Sequence, residues 1–394
     1  MRGAQLIRDK GFIGLLVTMF AGAANDNLVK TAFVVAITAL SWDVFALNSV
    51  ILANAAALCF ILPFIVLAGF SAHQANVQPP KRWLMTLKTI ELGLAIVSGL
   101  AIYFELGWLL LLCIAGFGVQ SALIGPLKYA LIPRLTKDSE LLNKNAWMES
   151  ATFVAILIGT LVASDWIVDS AIELIVLILL IACIGIAGIS PLPRFDGRSD
   201  YEQKSIKDLV HKQRRDVRSM SAIWCISGFW GVGSVWLTHL PVLTVEIWEL
   251  SPKSVGTLLS YFVLGITLGA FLGVLLKDRQ IIARILGGSS VMVAGSLILQ
   301  GGHYETAALG LILTSAGGGF LALPLYTLLQ DDQLAVADRI AVNNIANAMM
   351  IVGTAIASLV VVGLLGLDLL LWLLLLSFGQ LLLCLYHRRN LSLS

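Results

Sequence analysis

The feature that most constrains this chain is the recurrence, from one end to the other, of apolar runs about 20 residues long, the length of helix needed to cross a bilayer. A window of about 19 residues finds them near 11–41, 46–72, 83–104, 106–133, 143–164 and 170–190, and again near 220–246, 252–276, 281–300, 305–330, 339–365 and 367–387. A polar stretch from Pro191 to Ser219 parts two sets of six. In lipid every backbone polar group must be satisfied internally, and runs this long without alternation do so only as helices. The fold class expected is therefore an all-α integral membrane protein of twelve transmembrane helices in two six-helix bundles, residues 1–190 and 220–394, joined by a basic linker at 191–219. A chain that is 58% hydrophobic and 13% charged, against roughly 25% charged for a soluble domain, is no water-soluble globule. The net charge of +2 gives no reason to expect a nucleic-acid partner. Cys59, Cys113, Cys183, Cys225 and Cys384 sit in apolar runs without metal-ligand spacing and read as small buried hydrophobes.

Charge placement orients the helices. Arg2, Arg8 and Lys10 precede an apolar stretch ending at Ala21-Gly22-Ala23, which imitates a secretory signal. Hydrophobicity resumes after Lys30 and runs to Leu40, so the segment reads as the first span. With the N-terminus inside, the inner segments and flanks collect nearly all the Lys and Arg, among them Lys81, Arg82, Lys128, Arg134, Lys137, Lys144, Lys277, Arg279, Arg284, Arg339, Arg388 and Arg389. Lys253 is the outer exception, while the outer turns carry Asp43, Glu105, Asp165, Asp169, Glu246, Glu249 and Glu305. Both termini are expected to be cytoplasmic.

The two halves look related. GPLKYALIPRL and NAWMESATFVAILIGTLVAS in spans four and five answer to LPLYTLLQ and NNIANAMMIVGTAIAS in spans ten and eleven. Pro126 matches Pro324, Asn145 matches Asn343 and Glu149 matches Asn347, while the later pieces fall one helical turn out of step. Corresponding spans keep one direction through the membrane, as parallel repeats do, and such repeats point to a transporter.

Polar residues inside apolar spans carry the chemistry. Asn25, Asp26, Asn27 and Lys30 lie mid-span, where a lone carboxylate costs about 2.5–3.5 kcal/mol on insertion scales. Asp26 and Lys30, four apart, either neutralise one another or face a substrate. Asn145 and Glu149 stand a turn apart on the fifth span, as do Asn343 and Asn347, beside Asn344, on the eleventh. These asparagines either bridge helices or line a cavity. Glu149 suits a gate with Lys128 or a cationic headgroup. Lys88 and Glu91 are three apart near the inner end of the third span, where a local pair that snorkels, or a gating role, is expected. Gly317-Gly318-Gly319 before Pro324 suits close packing, and Trp224, Trp230 and Trp236 offer faces for stacking an amphiphile, Trp230 foremost. His211 and Asp216 reproduce a histidine-x4-aspartate acyltransferase spacing, but in a linker too short to shape an acyl-donor pocket. No catalytic residue, metal ligand or cofactor is expected, since phosphate-loop, zinc and dinucleotide motifs are lacking.

GAANDNLVK (22–30), GPLKYALIP (125–133), LTHLP (237–241), LPLYTLLQ (323–330) and RIAVNNIANA (339–348) resemble bacterial lysophospholipid transporters of the major facilitator superfamily. The likeness is closest to the transporter domain that some bacteria fuse to an acyltransferase and an acyl-carrier-protein (acyl-ACP) synthetase. It implies a flippase of the bacterial inner membrane, carrying lysophosphatidylethanolamine to the inner leaflet by alternating access, with membrane lipid around it and a separate acyltransferase/acyl-ACP synthetase as partner. By position it marks Asp26, Asn27, Lys128, Asn145 and Glu149 as site residues. A proton-coupled exporter of a small metabolite, drug or siderophore is the alternative. The chain departs from the pattern at Gly69, followed four residues later by His73 rather than aspartate, and at Leu237, where free-standing relatives carry arginine after Phe229-Trp230-Gly231.

Overall fold

The computed structural model describes residues 2–38, 40–47, 49–137, 140–198, 201–202, 204–250, 254–276, 280–301, 304–330 and 336–392. Lys253, Lys277 and Arg279 of the charge argument lie outside them. Among the described residues the chain forms fourteen α-helices and no strand: α1 Arg2–Thr38, α2 Ser49–Val66, α3 Ala68–Val77, α4 Pro80–Tyr103, α5 Gly107–Arg134, α6 Leu141–Asp169, α7 Ala171–Ala187, α8 Ile206–Arg215, α9 Val217–Val242, α10 Ser254–Leu275, α11 Ile281–Leu299, α12 Tyr304–Leu329, α13 Val336–Ser358 and α14 Leu369–Leu391. Single π-helical turns, Leu243–Ile247 and Leu359–Leu364, prolong α9 and α13.

Ten of these helices are long and apolar enough to cross a membrane. The second expected span is a pair, α2 and α3, bent by 58°. The break falls at Leu67, which leaves helical geometry at φ −95° and ψ 3°, four residues beyond Pro63. The sixth is α7, a shorter apolar helix of 17 residues. Together they supply the twelve crossings expected from hydropathy. Large apolar side chains point outward along them, Ile13 and Val176 each 58% exposed, as lipid-facing surface requires and water-facing surface does not.

The described chain divides into two compact units. One comprises Met1–Asp138, Val154–Ile206 and Gln333–Ala341; the other comprises Ser139–Phe153, Lys207–Asp332 and Val342–Ser394. In the first, α1 packs against α7, α5, α2 and α4. Its small residues Ala32 and Ala36 alternate with Leu28, Val29 and Phe33 in a core completed by Leu110, Ile114 and Phe117 of α5 and Leu174 and Ile178 of α7. In the second, α12 is the hub, packing against α10, α11 and α9. Gly317, Gly318 and Gly319 explain how one helix meets three. Successive residues on a helix point about 100° apart, and a Cβ on each would fall 2.4 Å from the Gly288 carbonyl oxygen of α11, 2.6 Å from the Phe229 ring of α9 and 2.2 Å from the Ile266 carbonyl oxygen of α10.

The linker is a short structure in its own right. Leu209 and Gln213 of α8 are buried while Lys207, His211, Lys212, Arg214 and Arg215 are exposed. Asp216 caps α9, accepting from the Ser219 backbone N–H at 3.0 Å and its hydroxyl at 2.7 Å.

Candidate functional site

In the first unit, six polar side chains meet among the apolar faces of α1, α2, α4 and α5. Asp26 is 7% exposed, and its Oδ2 accepts a hydrogen bond from the Ser121 hydroxyl at 2.6 Å; its Oδ1 is buried without a partner. Lys30, one turn on, places its ammonium 4.1 Å from the centroid of the Phe60 ring of α2, a favourable seat for a cation. Ser121 lies 3.3 Å from the Gln120 Oε1, and Gln120 donates through Nε2 to Glu91 Oε2 at 2.7 Å. The same Glu91 oxygen receives the Lys88 ammonium at 2.5 Å. Lys88 and Glu91 are 1% and 0% exposed, so the pair is buried rather than snorkelled to the surface as the sequence suggested. Backbone without side chains makes the room: a Cβ on Gly22 of α1 would lie 2.7 Å from the Lys88 Nζ, and one on Gly185 of α7 would lie 3.3 Å from it. A buried ion pair is costly unless further hydrogen bonds satisfy it; Gln120 adds one to Glu91 Oε2, while Glu91 Oε1 is buried without a hydrogen-bond partner.

The neighbours of Asp26 behave differently. Asn25 is fully buried and neither carboxamide atom is hydrogen-bonded, an orphan that calls for a polar partner. Asn27 donates back to the Ala23 carbonyl of its own helix at 2.7 Å. Lys128, further along α5, lies 4.3 Å from the Tyr129 ring.

In the second unit, Asn145 and Gln330 exchange two hydrogen bonds, of 2.8 and 3.2 Å, tying the start of α6 to the end of α12. Glu149 and Ser150, a turn further along α6, line a recess of about 310 Å³ counted out to its mouth, walled by Phe153, Phe229, Ile266, Ala322, Leu323 and Tyr326. Beside it Trp230 stacks on Phe153 with ring centroids 5.8 Å apart and donates its indole N–H to the Tyr326 hydroxyl at 2.7 Å. Asn347 accepts from Ser227 of α9 at 2.8 Å, Asn344 is half-buried, and Asn343 is 1% exposed with neither carboxamide atom hydrogen-bonded. Of the other tryptophans, Trp224 is exposed and Trp236 fully buried.

Sequence reasoning passed over Ser121, Gln120, Gln330 and Tyr326. The signal was present for the first two, since adjacent polar residues interrupt the apolar fourth span; nothing local marked which helix they meet. A further cluster was also missed. Tyr201 and Lys204 of the linker hold Asp338 in the first turn of α13, the Tyr201 hydroxyl donating to Oδ1 and the Lys204 ammonium to Oδ2 at 2.6 Å. His73, standing where the resembled pattern has aspartate, meets the Tyr201 ring at 5.9 Å. Burial, and then the Asp338 carboxylate, push the Tyr201 phenol well above its usual range. His211 and Asp216 do other work: His211 faces Arg215 at 3.1 Å, and Asp216 is the helix cap already described. Among the described residues no cluster of three or more His, Cys, Asp or Glu side chains is placed to hold a metal ion.

Comparison with known proteins gives the family and the fold. The sequence pattern of the Major Facilitator Superfamily matches residues 12–358. The lysophospholipid transporter LplT of Yersinia enterocolitica is 27% identical over 367 residues, 90% of this chain and 88% of that one. LplT of Serratia proteamaculans is 27% identical over 319 residues, 77% and 78% of the two chains. Among solved structures, the superfamily transporter FucP in its outward conformation matches with a TM-score of 0.75 at 15% identity, over 97% of this chain and 99% of that one. A bacterial homologue of the iron transporter ferroportin in an outward-facing state matches at 0.69 and 15%, with the same coverage.

Proposed function

This chain belongs to the Major Facilitator Superfamily, a multi-pass membrane transporter rather than an enzyme, and from that premise we propose that it moves lysophospholipids, chiefly lysophosphatidylethanolamine, from the outer to the inner leaflet of the bacterial cytoplasmic membrane. The observation that carries the reading is the match to lysophospholipid transporters along about nine-tenths of both chains. The chemistry of the two polar clusters supports it. An amphiphile needs few charges in its path: the ethanolamine ammonium meets Asp26 or Glu149, the latter beside aromatic faces that attract a cation, and the phosphate meets Lys30 or Lys128. Asn25 and Asn343, buried with unmet hydrogen-bonding groups, supply donors and acceptors for the headgroup, with Asn27, Asn145, Asn344, Asn347 and Trp230 around them. Lys128, Glu149, Lys88 and Glu91 act as gating charges. In this reading the six-helix bundles 1–190 and 220–394 alternate access around the headgroup, the linker 191–219 and both termini are cytoplasmic, and a separate acyltransferase reacylates the product.

The test is uptake of labelled lysophosphatidylethanolamine by spheroplasts producing this chain, with free headgroup analogues and other lysolipids as competitors. Uptake competed by lysolipids and reduced about tenfold or more in Asp26→Asn is expected, since a charge-assisted hydrogen bond contributes about 1.5–3 kcal/mol. Well-folded protein without uptake sinks the reading.

A further inference from the structure

We propose that the end of the second unit formed by α8, the start of α9 and the last turns of α14 is a docking surface for anionic phospholipid headgroups, held there whichever molecule the chain transports. Packing brings these segments together. The Ser221 hydroxyl, near the start of α9, meets His387 Nδ1 at 2.9 Å and accepts from the Asn390 carboxamide at 3.1 Å, both on α14. A turn further along, Gln380 of α14 donates to the Cys225 carbonyl of α9 at 2.9 Å, so the two helices run side by side at this end. Asp216 alone separates α8 from α9. Lys207, Lys212, Arg214 and Arg215 of α8 are exposed, and so are Arg388 and Arg389 of α14. The acids of the same segments are Asp208 and Asp216, and Asp216 is committed to capping α9. Among the described residues none of these cations is in an ion pair, and Arg215 has a histidine rather than a carboxylate beside it.

Two large aromatic side chains point to a lipid rather than a soluble acidic partner. Trp224 lies one turn beyond Ser221 and is 39% exposed; Tyr386 directly precedes His387 and is 80% exposed. Such side chains, apolar in body and polar at the tip, collect where hydrocarbon gives way to headgroups. The cations next to them in the chain therefore stand at the level of the phosphates. α8 is shaped for that level. Leu209 and Gln213 are buried, while Ile206 at its start and Val217 just past its end are exposed apolar contacts between the charges. The planar fork of an arginine takes a phosphate through two hydrogen bonds, and basic pockets between helix ends hold anionic headgroups. A zwitterionic headgroup offers the same phosphate with an ammonium that the cations repel, so the surface selects lipids of net negative charge.

The experiment reconstitutes the full chain in phosphatidylcholine vesicles and adds brominated phosphatidylglycerol or brominated phosphatidylcholine at equal mole fraction, since brominated chains quench indole fluorescence on contact. The signal of Trp224 is the difference between wild type and Trp224→Phe. With no lysolipid present, the result stands apart from the substrate assignment. Phosphatidylglycerol is expected to quench this signal as if enriched about tenfold or more over phosphatidylcholine. Arg388→Gln/Arg389→Gln and Arg214→Gln/Arg215→Gln each lower the enrichment about threefold or more, and the four changes together abolish it. The corresponding lysine variants keep most of it, and Arg82→Gln, at an exposed cation of the first unit, leaves it unchanged. Raising the salt from about 0.1 to 1 M, which shortens the Debye length from about 10 to 3 Å, weakens it. Equal quenching by the two lipids overturns the proposal and leaves the surface to an acidic soluble partner. So does enrichment that survives the glutamine variants, a loss as large with lysine as with glutamine, or an equal loss in Arg82→Gln. Displacement by inorganic phosphate beyond that by chloride at the same ionic strength marks a free-anion site and overturns it as well.

Discussion

Polar residues in the membrane interior are set by their partners, and the Lys88–Glu91 pair shows how tightly. Both side chains are almost wholly buried and share one carboxylate oxygen with Gln120. Removing one partner leaves an uncompensated charge, so Lys88→Met or Glu91→Gln alone is expected to destabilise by about 3–5 kcal/mol. The double variant Lys88→Met/Glu91→Gln keeps an acceptor for Gln120 and recovers most of that loss. Thermal unfolding of the four proteins in detergent, read as a double-mutant cycle, checks this; additive losses contradict it. The sequence identified these two residues and their spacing, but placed them at the surface. For Asp26 it offered Lys30 as a counter-charge or a substrate; the structure keeps Lys30 in electrostatic reach of Asp26 and over the Phe60 ring, and adds a partner the sequence did not mark, the Ser121 hydroxyl 95 residues away in the chain.

At the scale of helices, small residues decide which faces meet. Gly319→Ala drives a methyl group into the Ile266 carbonyl, 2.2 Å from the new Cβ, and backbone cannot move aside as a side chain can. A loss of about 1–3 kcal/mol or more is expected, seen as aggregation or a lowered Tm on heating. Gly353→Ala, on α13 with open space around it, is the control and should gain up to about 1 kcal/mol from helix propensity. Equal behaviour of the two would show that α12 does not pack as described. The tie between the linker and α13 gives a pH signature. Tyr201 holds its proton in the folded chain well beyond the ordinary phenol value of about 10, so the unfolded chain gives up this proton first. The stabilising contribution is then complete below about pH 10 and is lost as pH rises further. Tyr201→Phe should cost about 1 kcal/mol, with a Tm gap from wild type that is constant between about pH 6 and 9 and narrows above about pH 10. A gap that widens with alkalinity refutes the tie.

For the whole molecule, the charge asymmetry of the loops predicts both termini on the cytoplasmic side. A reporter fused after Ser394 that is active only in the cytoplasm should be active, and one placed after Glu105 in the turn between α4 and α5 should not. Helix number, approximate ends and membrane residence were legible in the sequence because they follow from local sums. Transfer of about 20 apolar residues into lipid is decided segment by segment. The repeat, the superfamily and the list of polar residues inside the spans were legible for the same reason. What those polar residues do for one another was not, because a hydrogen bond depends on which helix faces meet, and that is settled by packing among distant segments. Thus Asp26 and Ser121, Asn145 and Gln330, and Tyr201 and Asp338, separated by 95, 185 and 137 positions, became partners only in the tertiary structure.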